Sequence, residues 1–261
     1  MGRLDDKVTV VTGGGSSVGR AIALKAAQEN GRVVVADKDE DAGHAVVEAI
    51  LEAGGEATFA PVDLTDEAAV QAMVGDAILA YGSLHGLVNG MSYRAQGDAL
   101  TTSRKDWEDS VAYNLEAAWI CARTCAPFLK AAGGGSIVHI APTHVLRTMP
   151  RAFPYAVTKG ALLAMSRSMA IDFGPQGIRS NVLVTGYIQS DHTERRLSES
   201  ADPEASFRRV LSMHPLGRTG TPEDIAHVAC FLLSSDAAFV SGATIVVDGG
   251  RSAVIQDLHD W

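Results

Sequence analysis

Cysteine is scarce in this chain: Cys121, Cys125 and Cys230 are the three among 261 residues, and no two form a CxxC pair. Three thiols cannot all pair with one another, which argues against a disulfide framework and predicts a reducing compartment. Cys121 and Cys125 stand four apart on one helix face, where small apolar packing is the expected role. Aromatic residues are few, at 6%. Positive charge is in deficit too, since 22 basic against 31 acidic side chains leave a net charge of −9. Binding along a phosphate backbone needs clustered Lys and Arg, so no nucleic-acid partner is expected. No apolar run is long enough to span a bilayer. The opening residues MGRLDDKVTV lack the apolar core of a signal peptide, and Asp6 breaks the myristoylation pattern. The expectation is a cytoplasmic protein without membrane or metal.

What remains is ordinary globular composition, 46% hydrophobic and 20% charged, with a mild excess of glycine at 26 residues. Val- and Ile-rich runs alternate with stretches of helical period. The pattern predicts strands over 7–12, 32–36, 57–62, 86–89, 136–141, 179–184 and 244–247. Helices are predicted over 18–30, 39–53, 67–81, 104–131, 153–174 and 222–234. Strict alternation, with strands that are nearly continuous apolar runs, predicts an α/β fold: one Rossmann-like, doubly wound domain over 1–261. Its seven-stranded parallel sheet would carry helices on both faces. The polar stretch 187–215 is too long for an ordinary connection. It is either a solvated excursion or a substrate lid, and its place after the sixth strand favours the lid.

The first strand runs into Thr12-Gly13-Gly14-Gly15-Ser16-Ser17-Val18-Gly19 and then a helix. Glycines there let the backbone approach a pyrophosphate, whose charge a helix N-terminus attracts. Asp37 closes the second strand, 24 positions after Gly13. Its carboxylate suits the ribose hydroxyls of NAD and repels the extra phosphate of NADP; the alternative is that it caps the following helix. Lys38 is adjacent and would soften that exclusion. Asp63-Leu64 ends the third strand, where an adenine ring would lie.

Tyr155-Ala156-Val157-Thr158-Lys159 puts a phenol and an ammonium one helical turn apart on one face. A nearby cation favours the phenolate, which makes tyrosine a usable acid/base near neutrality. The plainer alternative is a buried Tyr with a snorkelling Lys.

The glycine turn, Asp37, Asp63-Leu64, Asn89, Asn114, the Tyr155/Lys159 pair and Asp248-Gly249-Gly250 occur in an order that resembles the short-chain dehydrogenase/reductase family along essentially the whole chain. The resemblance implies Tyr155 as proton-transfer residue, with Lys159 as ribose ligand and tuner of the tyrosine. It also implies Asn114 as holder of a relay water. Gly13, Ser16, Ser17, Val18, Gly19, Asp37, Lys38, Asp63, Leu64, Asn89 and Gly90 would bind NAD, together with Tyr155 and Lys159. Gly186 and Ile188 would meet the nicotinamide amide.

The chain departs from the family pattern at several places. Ser17 replaces a glycine, Asn89-Gly90-Met91-Ser92 stands for Asn-Asn-Ala-Gly, Thr185-Gly186 for Pro-Gly, and Ser190 for Thr. The catalytic serine position, thirteen before the tyrosine, is Pro142, which has neither hydroxyl nor N–H. Thr143 and His144 are the two candidate substitutes. Strand alternation turns Thr143 to the opposite side and His144 to the same side as Pro142. The leading expectation is an NAD-dependent oxidoreductase acting between alcohol and carbonyl. A nucleotide-binding scaffold with little turnover is the alternative, motivated by Pro142. Arg94, Arg147, Arg151, His144, His192 and Arg195 would border the substrate cleft and suggest a polyol, sugar or sugar acid. The tail through Asp257 to Trp261 loosely resembles those of sugar-type dehydrogenases. Helix 153–174 is apolar on nearly every face, and the resemblance implies a homotetramer.

Overall fold

A computed structural model describes residues 2–254. Each strand owes its burial to alternation: on one strand Val33 and Val35 pack to one side of the sheet, Val34 and Ala36 to the other. Both faces are covered, so the strands read as continuous apolar runs. The strands are β1 (Val8–Thr12), β2 (Arg32–Asp37), β3 (Glu56–Pro61), β4 (Gly86–Asn89), β5 (Gly135–Pro142), β6 (Ile178–Thr185) and β7 (Thr244–Val247). All are parallel, in the order β3-β2-β1-β4-β5-β6-β7. The expected doubly wound fold is what the chain adopts.

The helices are α1 (Ser17–Gln28), α2 (Glu40–Glu52), α3 (Glu67–Tyr81), α4 (Arg104–Val111), α5 (Ala117–Ala131), α6 (Phe153–Phe173), α7 (Asp191–Ser198), α8 (Pro203–Ser212) and α9 (Pro222–Leu233). Side-chain caps start many of them. Asp39 accepts from the Ala42 N–H, Asp66 from Ala68 and Ala69, and Ser190 and Thr221 form capping boxes. The predicted helix over 104–131 runs from α4 into α5 through a π-helical turn, Ala112–Glu116, that carries Asn114. The predicted excursion over 187–215 contains the two short helices α7 and α8.

One core layer sets Ile22, Ile225 and Cys230 against the sheet; the other sets Val74, Cys121, Cys125 and Leu129. Burial pushes the thiols of Cys121 and Cys230 up to about 12, as fits packing residues. On α6, Leu162 and Met169 turn into the protein, while Ile171 is 76% exposed and Val157 is also exposed. Trp119 of α5 is exposed, with the Arg123 guanidinium 4.7 Å above its ring. Among the described residues no helix is long and apolar enough to cross a membrane.

After β3 the chain returns to the other side of β1, so connections leave β1 and β4 in opposite directions. Their carboxyl ends open a crevice at this switch point. Thr12 stitches it: its Oγ1 donates to the Val88 carbonyl at 3.2 Å and accepts from the Gly90 N–H at 3.1 Å.

Candidate active site

A cavity of about 930 Å³ runs from the glycine turn to Tyr155, and residues of α7 and α8 such as Leu197 and Val210 line part of it. At one end Gly13 takes φ +64°, a left-handed conformation that favours glycine. A side chain at Gly90 would lie 2.5 Å from the Thr12 carbonyl oxygen, so that wall of the crevice admits no Cβ. The Ser16 Oγ turns back to the Gly13 carbonyl at 2.6 Å and does not cap α1. The first N–H groups of α1, at Ser17, Val18 and Gly19, therefore lack a side-chain cap. Ser17 Oγ donates to the Gln189 carbonyl at 3.4 Å and ties this turn to the segment after β6.

Asp37 does not cap α2; Asp39 does. The Asp37 carboxylate accepts from the Gly15 N–H at 2.9 Å and the Asp39 N–H at 3.1 Å, holding the glycine turn against the end of β2. Lys38 extends over the Tyr113 ring at 5.7 Å, and Tyr113 stacks on Tyr93. Asp63 is held below the usual carboxylate range by hydrogen bonds from the Thr65 hydroxyl and N–H. Leu64 is buried in the core. Asn89 is likewise turned inward: Nδ2 donates to the Ala118 carbonyl and lies 3.2 Å from Nδ1 of buried His139, so Gly90 is what faces the cavity. Burial beside the Lys159 charge drives His139 down to about 3.

These features fit a dinucleotide: a crevice open only to glycine, an uncapped helix start, and a carboxylate closing β2.

At the other end, Tyr155 of α6 is 8% exposed. Its Oη lies 3.2 Å from the Ser92 Oγ, and the Arg94 guanidinium sits 5.3 Å from its ring centroid. His144 presents its ring edge-on to the phenol at 5.9 Å. Its Nε2 is 3.3 Å from Arg94 and its Nδ1 3.2 Å from the Thr148 hydroxyl. Burial pushes the Tyr155 hydroxyl up, partly offset by the Ser92 hydrogen bond and the Arg94 charge.

Lys159, expected to tune the tyrosine, is bonded to two backbone carbonyls. Its ammonium donates to the Met91 carbonyl at 2.6 Å and the Ile140 carbonyl at 3.3 Å, and burial depresses it to about 7. The i,i+4 spacing puts both residues on one face of α6, and the lysine's ammonium bonds those two carbonyls. The cations and donors that favour a phenolate here are Arg94 and Ser92.

Asn114, expected to hold a relay water, faces the segment after β4 from the π-helical turn. Its Oδ1 accepts from the Tyr93 N–H at 2.8 Å, and its Nδ2 donates to the Tyr93 carbonyl at 2.8 Å and the Thr158 hydroxyl at 3.2 Å. A void of about 10 Å³ between Asn114 and Lys159 approaches the room needed for one water.

Gly186 packs on Asp248, where an added Cβ would lie 2.7 Å from its Cα, and Ile188 lines the cavity. Thr143 is buried at the start of a 3-10 turn, and its carbonyl accepts from Leu146 and Arg147. Arg147 donates to the Val254 carbonyl, and Arg151 takes φ +63° in a bridge between Gly97 and Ala152. Among the six side chains expected at the substrate cleft, the structure sets Arg94 and His144 in the cavity wall. The side chain of His192 and the tail through Trp261 lie outside the described residues. Ser92 carried no functional expectation; the signal was its presence where the family pattern has glycine.

Comparison with known proteins agrees with this architecture. A family model described as enoyl-(acyl carrier protein) reductase matches residues 13–252. An uncharacterized oxidoreductase of Thermotoga maritima is 35% identical over 251 residues, 95% of this chain and 97% of that protein. An inactive 2-(S)-hydroxypropyl-CoM dehydrogenase 2 of Xanthobacter autotrophicus is 36% identical over 234 residues, 89% of this chain and 100% of that protein. The crystal structure of a protein assigned as a short-chain dehydrogenase/reductase, from Burkholderia xenovorans, superposes with a TM-score of 0.94 at 32% identity, covering 98% of this chain and 100% of that one. The chain belongs to the short-chain dehydrogenase/reductase family of oxidoreductases.

Proposed function

We propose that this chain is an NAD-preferring dehydrogenase/reductase that interconverts an alcohol and a carbonyl in a polyol, sugar or sugar acid. The observation that carries the reading is the single cavity that joins the glycine turn to Tyr155 and Lys159. Asp37 supports the preference for NAD, because its carboxylate stands at the glycine turn, where an added phosphate would meet like charge. Arg94, His144 and Arg251 line the cavity and suit a substrate rich in hydroxyls or carrying a carboxylate.

Bound NAD would supply the hydride acceptor. Gly13, Ser16, Ser17, Val18, Gly19 and Gly90 would bind its phosphates and flank it. Asp37, Lys38, Asp63 and Leu64 would surround the adenosine, and Gly186 and Ile188 the nicotinamide. Tyr155 would receive the substrate's hydroxyl proton at Oη during oxidation and return it during reduction. Lys159, pinned on the Met91 and Ile140 carbonyls, would hold the nicotinamide ribose. Asn114 braces the wall that faces Tyr155. The helices α7 and α8 would act as the lid. Exposed Trp119, Val157 and Ile171 support a homotetramer joined through α5 and α6, and the unpaired cysteines support a cytoplasmic location.

The test is NADH formation across polyols, aldoses and sugar acids, repeated with NADP. Turnover that Tyr155→Phe abolishes without weakening NADH binding supports the assignment. Equal catalytic efficiency with both nucleotides overturns the NAD preference. NADH binding with no oxidation of any alcohol would favour the scaffold that Pro142 suggests.

A further inference from the structure

We infer that Ser92, on the segment following β4, is the catalytic hydroxyl of this enzyme and takes over the task that Pro142, at the end of β5, cannot perform. The inference rests on Tyr155 being the acid/base group.

Pro142 has no hydroxyl and no N–H, so that end of β5 offers the substrate oxygen no donor from this residue. Both neighbours line the same cavity, and what sets Ser92 apart from them is its hydroxyl contact with the phenol. Thr143 starts a 3-10 turn and is as buried as Tyr155, with no hydrogen bond to the Tyr155 hydroxyl. Both ring nitrogens of His144 already face partners, Arg94 and Thr148. Ser92 approaches from across the cavity. Its Oγ lies 3.2 Å from the Tyr155 Oη, and both residues line the cavity wall. A substrate oxygen hydrogen-bonded to Oη, at about 2.8 Å, completes a triangle with Oγ and falls within its reach.

The residues on either side of Ser92 are held. The Met91 carbonyl accepts from the Lys159 ammonium at 2.6 Å. The Tyr93 N–H and carbonyl are both bonded to the Asn114 side chain at 2.8 Å. Lys159 and Asn114 thus fix the backbone that aims Ser92 at the phenol, the preorganisation a hydrogen-bond donor needs to act on a developing charge. Arg94, two residues on, brings its positive charge over the same ring, 5.3 Å from its centroid.

In the oxidation direction the carbinol O–H bond breaks and its proton passes to the Tyr155 phenolate. The carbinol C–H bond breaks with its electron pair, a hydride that bound NAD would accept. A C=O bond remains. Ser92 keeps its own proton throughout, donating a hydrogen bond to the oxygen as charge develops on it.

The experiment compares Ser92→Ala, Ser92→Thr, Ser92→Ala with Pro142→Ser, and Tyr155→Phe, measuring kcat, KM, the pH profile and NADH affinity. Ser92→Ala is expected to lower kcat by about a hundredfold. NADH affinity should stay within twofold, and the apparent pKa of the acid/base group should move up. Ser92→Thr, and the added serine at 142, should each recover at least part of the loss. Ser92→Ala within twofold of the parent, alongside an inactive Tyr155→Phe, overturns the inference. So does a loss of NADH affinity equal to the loss of turnover, which marks a structural role. A fully active Tyr155→Phe instead overturns the acid/base assignment on which it rests.

Discussion

Asn114 and Tyr93 exchange two hydrogen bonds of 2.8 Å, side-chain amide to backbone N–H and carbonyl, much as a paired strand would. The widened helical turn at Ala112–Glu116 brings that amide to a segment with no strand partner of its own at Tyr93. Asn114→Ala leaves both backbone groups unpaired in a part-buried place. Denaturant unfolding is expected to show a loss of about 1–3 kcal/mol. Turnover should fall further than stability alone accounts for, because Ser92 and Arg94 lose their anchor. Unchanged stability would show that the pair is replaced by water at no cost.

Asp37 joins the glycine turn to the end of β2 through Gly15 and Asp39. Asp37→Ser removes the charge that opposes a phosphate while leaving a small polar side chain. The ratio of kcat/KM for NAD over NADP should fall at least about tenfold. A ratio that does not move would place the discrimination elsewhere.

Arg94 stands over the Tyr155 ring and pulls the hydroxyl's pKa down against the larger upward effect of burial. Arg94→Gln removes the charge. The phenol then ionises at higher pH, so the rising limb of the oxidation profile should shift to alkaline pH. A profile that stays in place would mean the guanidinium is screened from the phenol.

Lys159 has a folded-state pKa of about 7, below its ordinary 10.5, because burial penalises the ammonium. Between those values the unfolded chain binds more protons than the folded one, so stability rises with pH. The contribution is complete above the unfolded value and is lost as pH falls through about 7. Unfolding of the nucleotide-free protein should show the parent gaining on Lys159→Met between neutral and alkaline pH. A constant gap would mean that the two carbonyls hold the ammonium charged throughout.

Much of the fold was legible because period and burial coincide. A strand covered on both faces must be apolar at every position, as Val33, Val34 and Val35 are, and glycine must stand where Gly13 turns at φ +64°. The expected strands fall within a residue or so of those observed, and the break at Ala112–Glu116 was hidden because neither Gly nor Pro stands in that turn to mark it. The cavity wall was less legible. Arg147 and Arg151 read as cleft residues, yet one holds the Val254 carbonyl and the other turns the backbone.

By itself the sequence determined the doubly wound sheet, the glycine turn, the carboxylate that closes β2 and the Tyr155/Lys159 face of one helix. All of these follow from local periodicity or from spacing within one element. The tertiary structure alone decided which groups attend the tyrosine. Ser92 and Tyr155 are 63 positions apart in sequence, and Asn114 and Tyr93 21 apart. Such contacts come from packing β4, the π-helical turn and α6 together, and no local pattern encodes the resulting 3.2 Å between two hydroxyl oxygens.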